Sequence, residues 1–217
     1  MLKALLCDLD DTIYTPASGL WPAIGRRITA YIVDRLGLDP QSAEALRATY
    51  YEKYGLTLLG LMDAQHVDPK DYLAYVHDLP LAEFLSPDAA LNGMLARLPL
   101  RKAIFTNADA AHAERVLIQL GIRRHFTDII DIQATGYRPK PQAAAYAVAL
   151  ERLGVTADEC VFADDLASNL AGAHALGITT VWVRPSVDGP LPPGIDFHIP
   201  DLRGLERIVA ERLTQAG

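Results

Sequence analysis

From Ala103 onward the chain repeats one unit: a short apolar run, an amphipathic stretch and a glycine. The runs Ala103 to Phe105, Ile129 to Ile132, Cys160 to Ala163 and Thr179 to Val183, with Ala4 to Cys7 near the start, are too short for helices and read as fully buried strands. The stretches Ala110 to Leu120, Gln142 to Leu153 and Ala167 to Leu176 have helical periodicity and end at Gly121, Gly154 and Gly177, where glycine can stop a helix. Strands alternating with helices predict an α/β core: a Rossmann-like parallel sheet with helices on both faces, joined by right-handed crossovers.

Between the first run and the second the pattern changes. Tyr14 to Leu100 carries helical signals and no convincing strand. Asp39-Pro40, Asp68-Pro69 and Ser86-Pro87 each put a capping residue before a proline at the first helical position, where proline's missing N–H costs nothing. Ile24, Ile28, Ile32 and Leu36 recur every four residues and mark a helix over Trp21 to Leu36. The expected organisation is a core from residues 1–14 and 101–217, interrupted by a helical module over 15–100, with Leu202 to Leu213 as a final packing helix.

A chain of 217 residues can hold one core with such a module, and its 50% hydrophobic and 22% charged residues suit a folded protein. The net charge of -7 opposes a nucleic-acid groove or an anionic membrane surface, both of which require clustered Lys and Arg; a small-molecule partner is expected. Asp8, Asp10 and Asp11 interrupt the apolar start before a signal-peptide core or membrane span is complete, which predicts a cytoplasmic protein. Cys7 and Cys160 lie in apolar runs, outside any Cys-x-x-Cys spacing, and read as reduced core thiols.

Ligands of an open parallel sheet collect beyond the carboxyl ends of its strands. Those positions hold Asp8-Leu-Asp10-Asp11-Thr12, Thr106-Asn107, Arg138-Pro-Lys140-Pro141 and Asp164-Asp165. Several aspartates in one crevice repel one another unless a cation is present, and an all-oxygen cage suits Mg2+. Asp8 and Asp10 would face opposite sides of an extended strand, so the strand must end near Asp8 for both to serve one site. The metal would then take the Asp8 carboxylate, the Asp10 backbone carbonyl and Asp165, with Asp164 shaping the loop.

The series Asp8-x-Asp10-x-Thr12, Thr106, Lys140 and Asp164-Asp165-x-x-x-Asn169 resembles the motifs of the haloacid dehalogenase superfamily, in order and spread over most of the core. The resemblance implies a Rossmann-like core with an inserted helical cap. It implies Asp8 as the nucleophile that forms an aspartyl-phosphate, and Asp10 as the acid and base of the two half-reactions. Thr106 and nearby N–H groups would hold phosphoryl oxygens, and Lys140 would neutralise charge there and steady Asp8. Asn107 would either touch phosphate or cap the helix beginning near Asp109. Asp10 resembles the phosphatases and phosphomutases more than the dehalogenases proper, which need no leaving-group acid.

Tyr50-Tyr51-Glu-Lys-Tyr54-Gly55 to Leu61, His66-Val-Asp68 and Tyr72 to Leu81 resemble pyrimidine 5'-nucleotidases, as does the opening Asp8 to Tyr14. This implies hydrolysis of nucleoside monophosphates such as UMP and CMP. Rival readings are a phosphatase of phosphoglycolate or a sugar phosphate, a phosphomutase, and a binding protein on the same fold. Tyr50, Tyr51 and Tyr54 would stack on a base or pack inside the cap, and His66 or His77 would reach a base edge or serve locally. Gly55 and Gly60 are expected to permit turns.

Overall fold

The computed structural model describes residues 1–214. Its strands are β1 (Ala4–Cys7), β2 (Arg101–Phe105), β3 (Asp128–Ile130), β4 (Cys160–Asp164), β5 (Thr179–Val183) and β6 (Phe197–Ile199). They form one parallel sheet in the order β3-β2-β1-β4-β5-β6. This is the α/β, Rossmann-like arrangement expected from the repeating unit.

Both faces of the central strands are buried, which is why their sequences are continuous apolar runs instead of alternating ones. Ala4, Leu6, Phe105, Phe162 and Trp182 pack with Ala145, Tyr146 and Ala149 of α7 (Ala143–Leu153) and Leu170 and Ala173 of α8 (Ala167–His174). Leu5, Ile104, Val161 and Val181, of the other parity, are buried as well.

β2 starts two residues before its expected run and β4 ends one residue after, and two further strands differ more. β3 ends at Ile130 because Asp131 and Ile132 leave the ladder: Ile132 N donates to Ala108 O at 3.1 Å, and the Asp131 carboxylate takes up the amide that starts the helix at Ala110 and that of Ala134 in its own turn. β6 was not foreseen. Three residues carry too little periodicity to read, and pairing with Val181, Trp182 and Val183 is what makes Phe197–Ile199 a strand.

The chain divides into two compact units, Met1–Ala17 with Leu85–Gly217, and Ser18–Phe84. The second holds α1 (Leu20–Leu36), α2 (Pro40–Tyr54), α3 (Thr57–Gln65) and α4 (Pro69–Val76). Asp39 and Asp68 cap α2 and α4 as their Asp-Pro pairs suggested. Ser86-Pro87 does not start a helix: α5 (Ala89–Arg97) begins later, where Asp88 accepts from Leu91 N at 2.8 Å, and it belongs to the unit with the sheet. The helical unit is therefore shorter than the span 15–100. The sheet unit also carries α6 (Ala110–Gln119) and α9 (Leu205–Thr214). No helix among the described residues is long and apolar enough to cross a membrane.

The sheet order reverses between β1 and β4, the switch point at which crevices open in folds of this kind. Register aligns the two strands there. Cys7 pairs with Ala163, and Asp8 N donates to Ala163 O at 2.9 Å, which sets Asp8 beside Asp164 at the carboxyl edge. On the other side Cys7 pairs with Ile104, bringing Phe105 and Thr106 to the same edge.

Candidate active site

Lys140 lies at the centre of that edge with its side chain 1% exposed. Its ammonium donates to Asp8 Oδ1 at 2.7 Å, to Phe105 O at 2.7 Å and to Asp164 Oδ2 at 2.9 Å. An ammonium has three hydrogens, so all of them are used on the protein. Lys140 is therefore tied to Asp8 and Asp164 with its hydrogens engaged on the protein. Burial pulls its pKa down, Asp164 and Asp8 outweigh that, and the group is held protonated above its ordinary value.

Asp164 is fully buried and saturated: Leu166 N and Asn169 Nδ2 donate to Oδ1 at 2.8 and 3.1 Å, and Asn169 Nδ2 also lies 3.0 Å from Oδ2. Thr12 Oγ1 lies 3.2 Å from Asp8 Oδ2 and 3.3 Å from Asp165 Oδ1, joining the two remaining carboxylates. One oxygen from each of Asp8, Asp164 and Asp165 can be chosen such that all lie within 4.8 Å of one another.

This donor set fits a hard cation. Three carboxylates face one ammonium, and the excess charge registers on the acids. Burial first, then Asp164, raises Asp165 to about 7 against the pull of Lys140. Asp8 is also raised well above the ordinary carboxylate value, by burial and by Asp164 and Asp165, with Lys140 opposing. Because the oxygens of Asp164 already serve Lys140, Asn169 and Leu166, Asp8 and Asp165 are the side chains better placed to hold Mg2+. Through Leu166 N and Asn169 Nδ2 the Asp164 carboxylate also ties down the chain that follows β4.

Thr106, 1% exposed, ends β2. Its Oγ1 accepts from Ala108 N at 3.0 Å, which leaves its own hydrogen able to donate to an anionic oxygen. Asn107 does not cap α6. Asp109 is the cap of α6, accepting from His112 N at 2.7 Å. The Asn107 amide instead clamps the Lys140 backbone, Oδ1 accepting from Lys140 N at 2.9 Å and Nδ2 donating to Lys140 O at 3.2 Å. This reciprocal pair ties the loop that carries Lys140 to the end of β2.

The Asp10 carboxylate is turned to a different pair. Its Oδ1 accepts from Tyr14 OH at 2.6 Å and lies 3.0 Å from His112 Nε2. Sequence reasoning missed His112. The available signal was a histidine in the first turn of the helix that starts directly beyond Thr106-Asn107. Asp11 has φ 56, a left-handed conformation uncommon outside glycine, and the turn it makes brings Tyr14 back over Asp10.

Within Ser18–Phe84 the aromatic candidates are largely used locally. Tyr50 is buried, accepts from Gln65 Nε2 at 3.1 Å and packs edge-on to Tyr54, whose hydroxyl donates to Asp63 at 2.7 Å. Tyr51 is exposed. His66 and His77 stand at the C-terminal ends of α3 and α4. Gly55 makes the left-handed stop of α2, but Gly60 makes no turn. It lies inside α3, where a Cβ would come within 2.3 Å of Tyr50 Cγ, so its lack of a side chain makes room for the ring.

Residues 2–177 match the family model for haloacid dehalogenase-like hydrolases. Phosphate metabolism protein 8 of Saccharomyces cerevisiae is 28% identical over 81% of this chain, which spans only 60% of that relative's length. Glyceraldehyde 3-phosphate phosphatase of Methanopyrus kandleri is 29% identical over 93% of this chain and 92% of its own. The crystal structure of a HAD phosphatase from Thermococcus onnurineus superposes with a TM-score of 0.64 at 23% identity, covering 96% of this chain and 98% of that one, and shares its fold. With the motif residues gathered at the switch point and most of the chain matching one family model, the chain belongs to the haloacid dehalogenase-like hydrolases.

Proposed function

We propose that the protein is a magnesium-dependent phosphomonoesterase that works through an aspartyl-phosphate on Asp8. The observation that carries this reading is Asp8 itself: a carboxylate at the end of β1, held by Lys140 on one oxygen and by Thr12 on the other, beside Asp165. In the first half-reaction an Asp8 oxygen forms a bond to phosphorus as the ester oxygen departs with its electron pair, and Asp10 supplies the proton. In the second, water attacks the phosphorus, the bond to Asp8 breaks, and Asp10 takes the proton back. Thr106 donates to the phosphoryl oxygens, and the field of Lys140 favours the charge they carry. Magnesium held by Asp8, Asp165 and the Asp10 carbonyl would screen the carboxylates from the incoming anion.

For the substrate we propose pyrimidine nucleoside 5'-monophosphates, UMP and CMP, on the resemblance of the segment around Tyr50 to Leu61 and of the opening Asp8 to Tyr14. We take Ser18–Phe84 as the cap that selects the ester and the cytoplasm as the setting. A second reading, a smaller ester such as a triose or sugar phosphate or phosphoglycolate, draws on the internal use of Tyr50 and Tyr54 and on the relative from Methanopyrus kandleri. Phosphate release from UMP, CMP, AMP, glyceraldehyde 3-phosphate and phosphoglycolate, with and without Mg2+, tests both. Release selective for UMP and CMP and abolished by Asp8→Asn supports the first reading; release confined to the small esters replaces it with the second. No release from any ester defeats the enzyme reading.

A further inference from the structure

We infer that His112 and Tyr14 are positioning residues for proton transfer by Asp10. By donating together to Oδ1 they hold the carboxyl in one orientation and assign the transferable proton to Oδ2. The inference rests on the phosphatase reading above and concerns how that chemistry is aimed.

The geometry is specific. His112 Nε2 and Tyr14 OH approach the same Asp10 oxygen, at 3.0 and 2.6 Å, and the His112 side chain is 0% exposed against 12% for Asp10. Burying an imidazole costs free energy unless its polar atoms are satisfied, so a histidine brought to this carboxylate is not a neutral filler. Nor is the ring needed to start α6, because Asp109 already caps the His112 amide. Two carboxylates fix that first turn: Asp109 holds His112 N at 2.7 Å and Asp131 holds Ala110 N at 2.9 Å, while the other oxygen of Asp131 holds Ala134 N of its own turn at 2.8 Å. The placement of His112 is thus tied to the ends of β2 and β3, the framework that also sets Thr106. Tyr14 arrives from the other side, through the turn in which Thr12 N and Ile13 N both donate to Leu9 O.

A carboxyl group that can rotate presents either oxygen to an ester. With two donors on Oδ1, lone-pair density there is engaged and a proton on that atom would meet two other hydrogens, so the proton resides on Oδ2. From there it passes to the ester oxygen as the P–O bond breaks, and Oδ2 accepts a proton from water in the second step. Nothing is consumed between the steps but water.

The experiment compares kcat on p-nitrophenyl phosphate, whose leaving group needs no proton, with kcat on the alkyl ester that wild type hydrolyses fastest among UMP, glyceraldehyde 3-phosphate and phosphoglycolate. In His112→Ala the ratio of alkyl to aryl kcat should fall by about tenfold or more, within the roughly 100-fold and larger range of general acid catalysis. His112→Gln, which can still donate to Asp10, should recover most of that ratio, and Tyr14→Phe should lower it in the same direction. Equal losses on both esters, or no rescue by Gln, would overturn the inference. Long-range 1H–15N spectra of the histidine rings give a readout free of turnover: His112 should carry its proton on Nε2, with a signal that moves in Asp10→Asn, and a proton on Nδ1 alone would overturn it too. Absence of hydrolysis of every ester by wild type would count against the phosphatase reading, leaving the ring tautomer to decide the hydrogen bond.

Discussion

Lys140 Nζ and Asp8 Oδ1 are 2.7 Å apart, and the same ammonium binds Asp164 Oδ2 at 2.9 Å, so one buried cation bridges two aspartates at the ends of adjacent strands. The pair links stability to chemistry. Lys140→Met should leave Asp8 and Asp164 buried without their counter-charge, costing about 3–5 kcal/mol in urea unfolding of metal-free protein at neutral pH. Phosphate release should fall by at least about 100-fold. Unchanged unfolding would show that the ion pair contributes nothing to the fold.

The crowding of carboxylates predicts an unusual response to pH. Asp165 stands near 7 in the folded protein and Asp11 near 6, both raised chiefly by burial, and Asp8 is raised as well. An acid whose folded pKa exceeds its unfolded value binds its proton more tightly in the folded state. Stability is therefore gained as pH falls through the folded pKa toward the unfolded value near 4 and is lost as pH rises. In EDTA the melting temperature should rise between pH 8 and pH 5, by an amount on the order of 2–4 kcal/mol in stability. Mg2+ should reverse the trend by favouring the ionised acids, stabilising the protein more at pH 8 than at pH 5. A flat profile in EDTA, or equal stabilisation by Mg2+ at both pH values, would contradict the crowded site.

Asn107 offers a separation of two roles. Its amide makes both hydrogen bonds to the Lys140 backbone, so Asn107→Ala should lower stability by about 1–3 kcal/mol as well as activity. Asn107→Asp keeps the acceptor for Lys140 N but cannot donate to Lys140 O, and should fall between wild type and Ala in stability at neutral pH. A residue that only touched phosphate would change KM while leaving the unfolding midpoint where it was.

Gly60 should behave unlike an ordinary helix glycine. Alanine in a helix interior normally gains about 1 kcal/mol over glycine, but here its Cβ meets Tyr50 Cγ at 2.3 Å. Gly60→Ala should destabilise the protein by about 1–3 kcal/mol, and combining it with Tyr50→Ala should cost less than the sum of the two changes. Differential scanning calorimetry of wild type and the three variants in this cycle measures the coupling directly.

Much of the fold was legible in the chain. β1 and β5 span the residues that the apolar runs marked, and the glycine stops at Gly121 and Gly154 follow the helices they were read to end. Strands buried on both faces must be apolar throughout, and helices between them must be amphipathic, so these elements write their environment into the sequence. The placement of the aspartates and Thr106 was legible for a related reason: an open parallel sheet has one ligand-binding edge, and these residues stand at or just beyond the carboxyl ends of strands, with Lys140 on the longer loop after β3.

What the sequence by itself determined was therefore the sheet, its binding edge and the residue types displayed there. Tertiary structure alone decided which partners those residues meet. That Lys140 uses every hydrogen on the protein, that Asn107 holds the Lys140 backbone and that His112 reaches Asp10 depend on pairs distant in the chain, and that Gly60 makes space for Tyr50 depends on how two consecutive helices pack. β6 belongs with them, a three-residue segment made a strand by its neighbour. Periodicity reports whether a side chain faces core or solvent; it carries no record of which of several polar groups, brought together by register and loop closure, satisfies which.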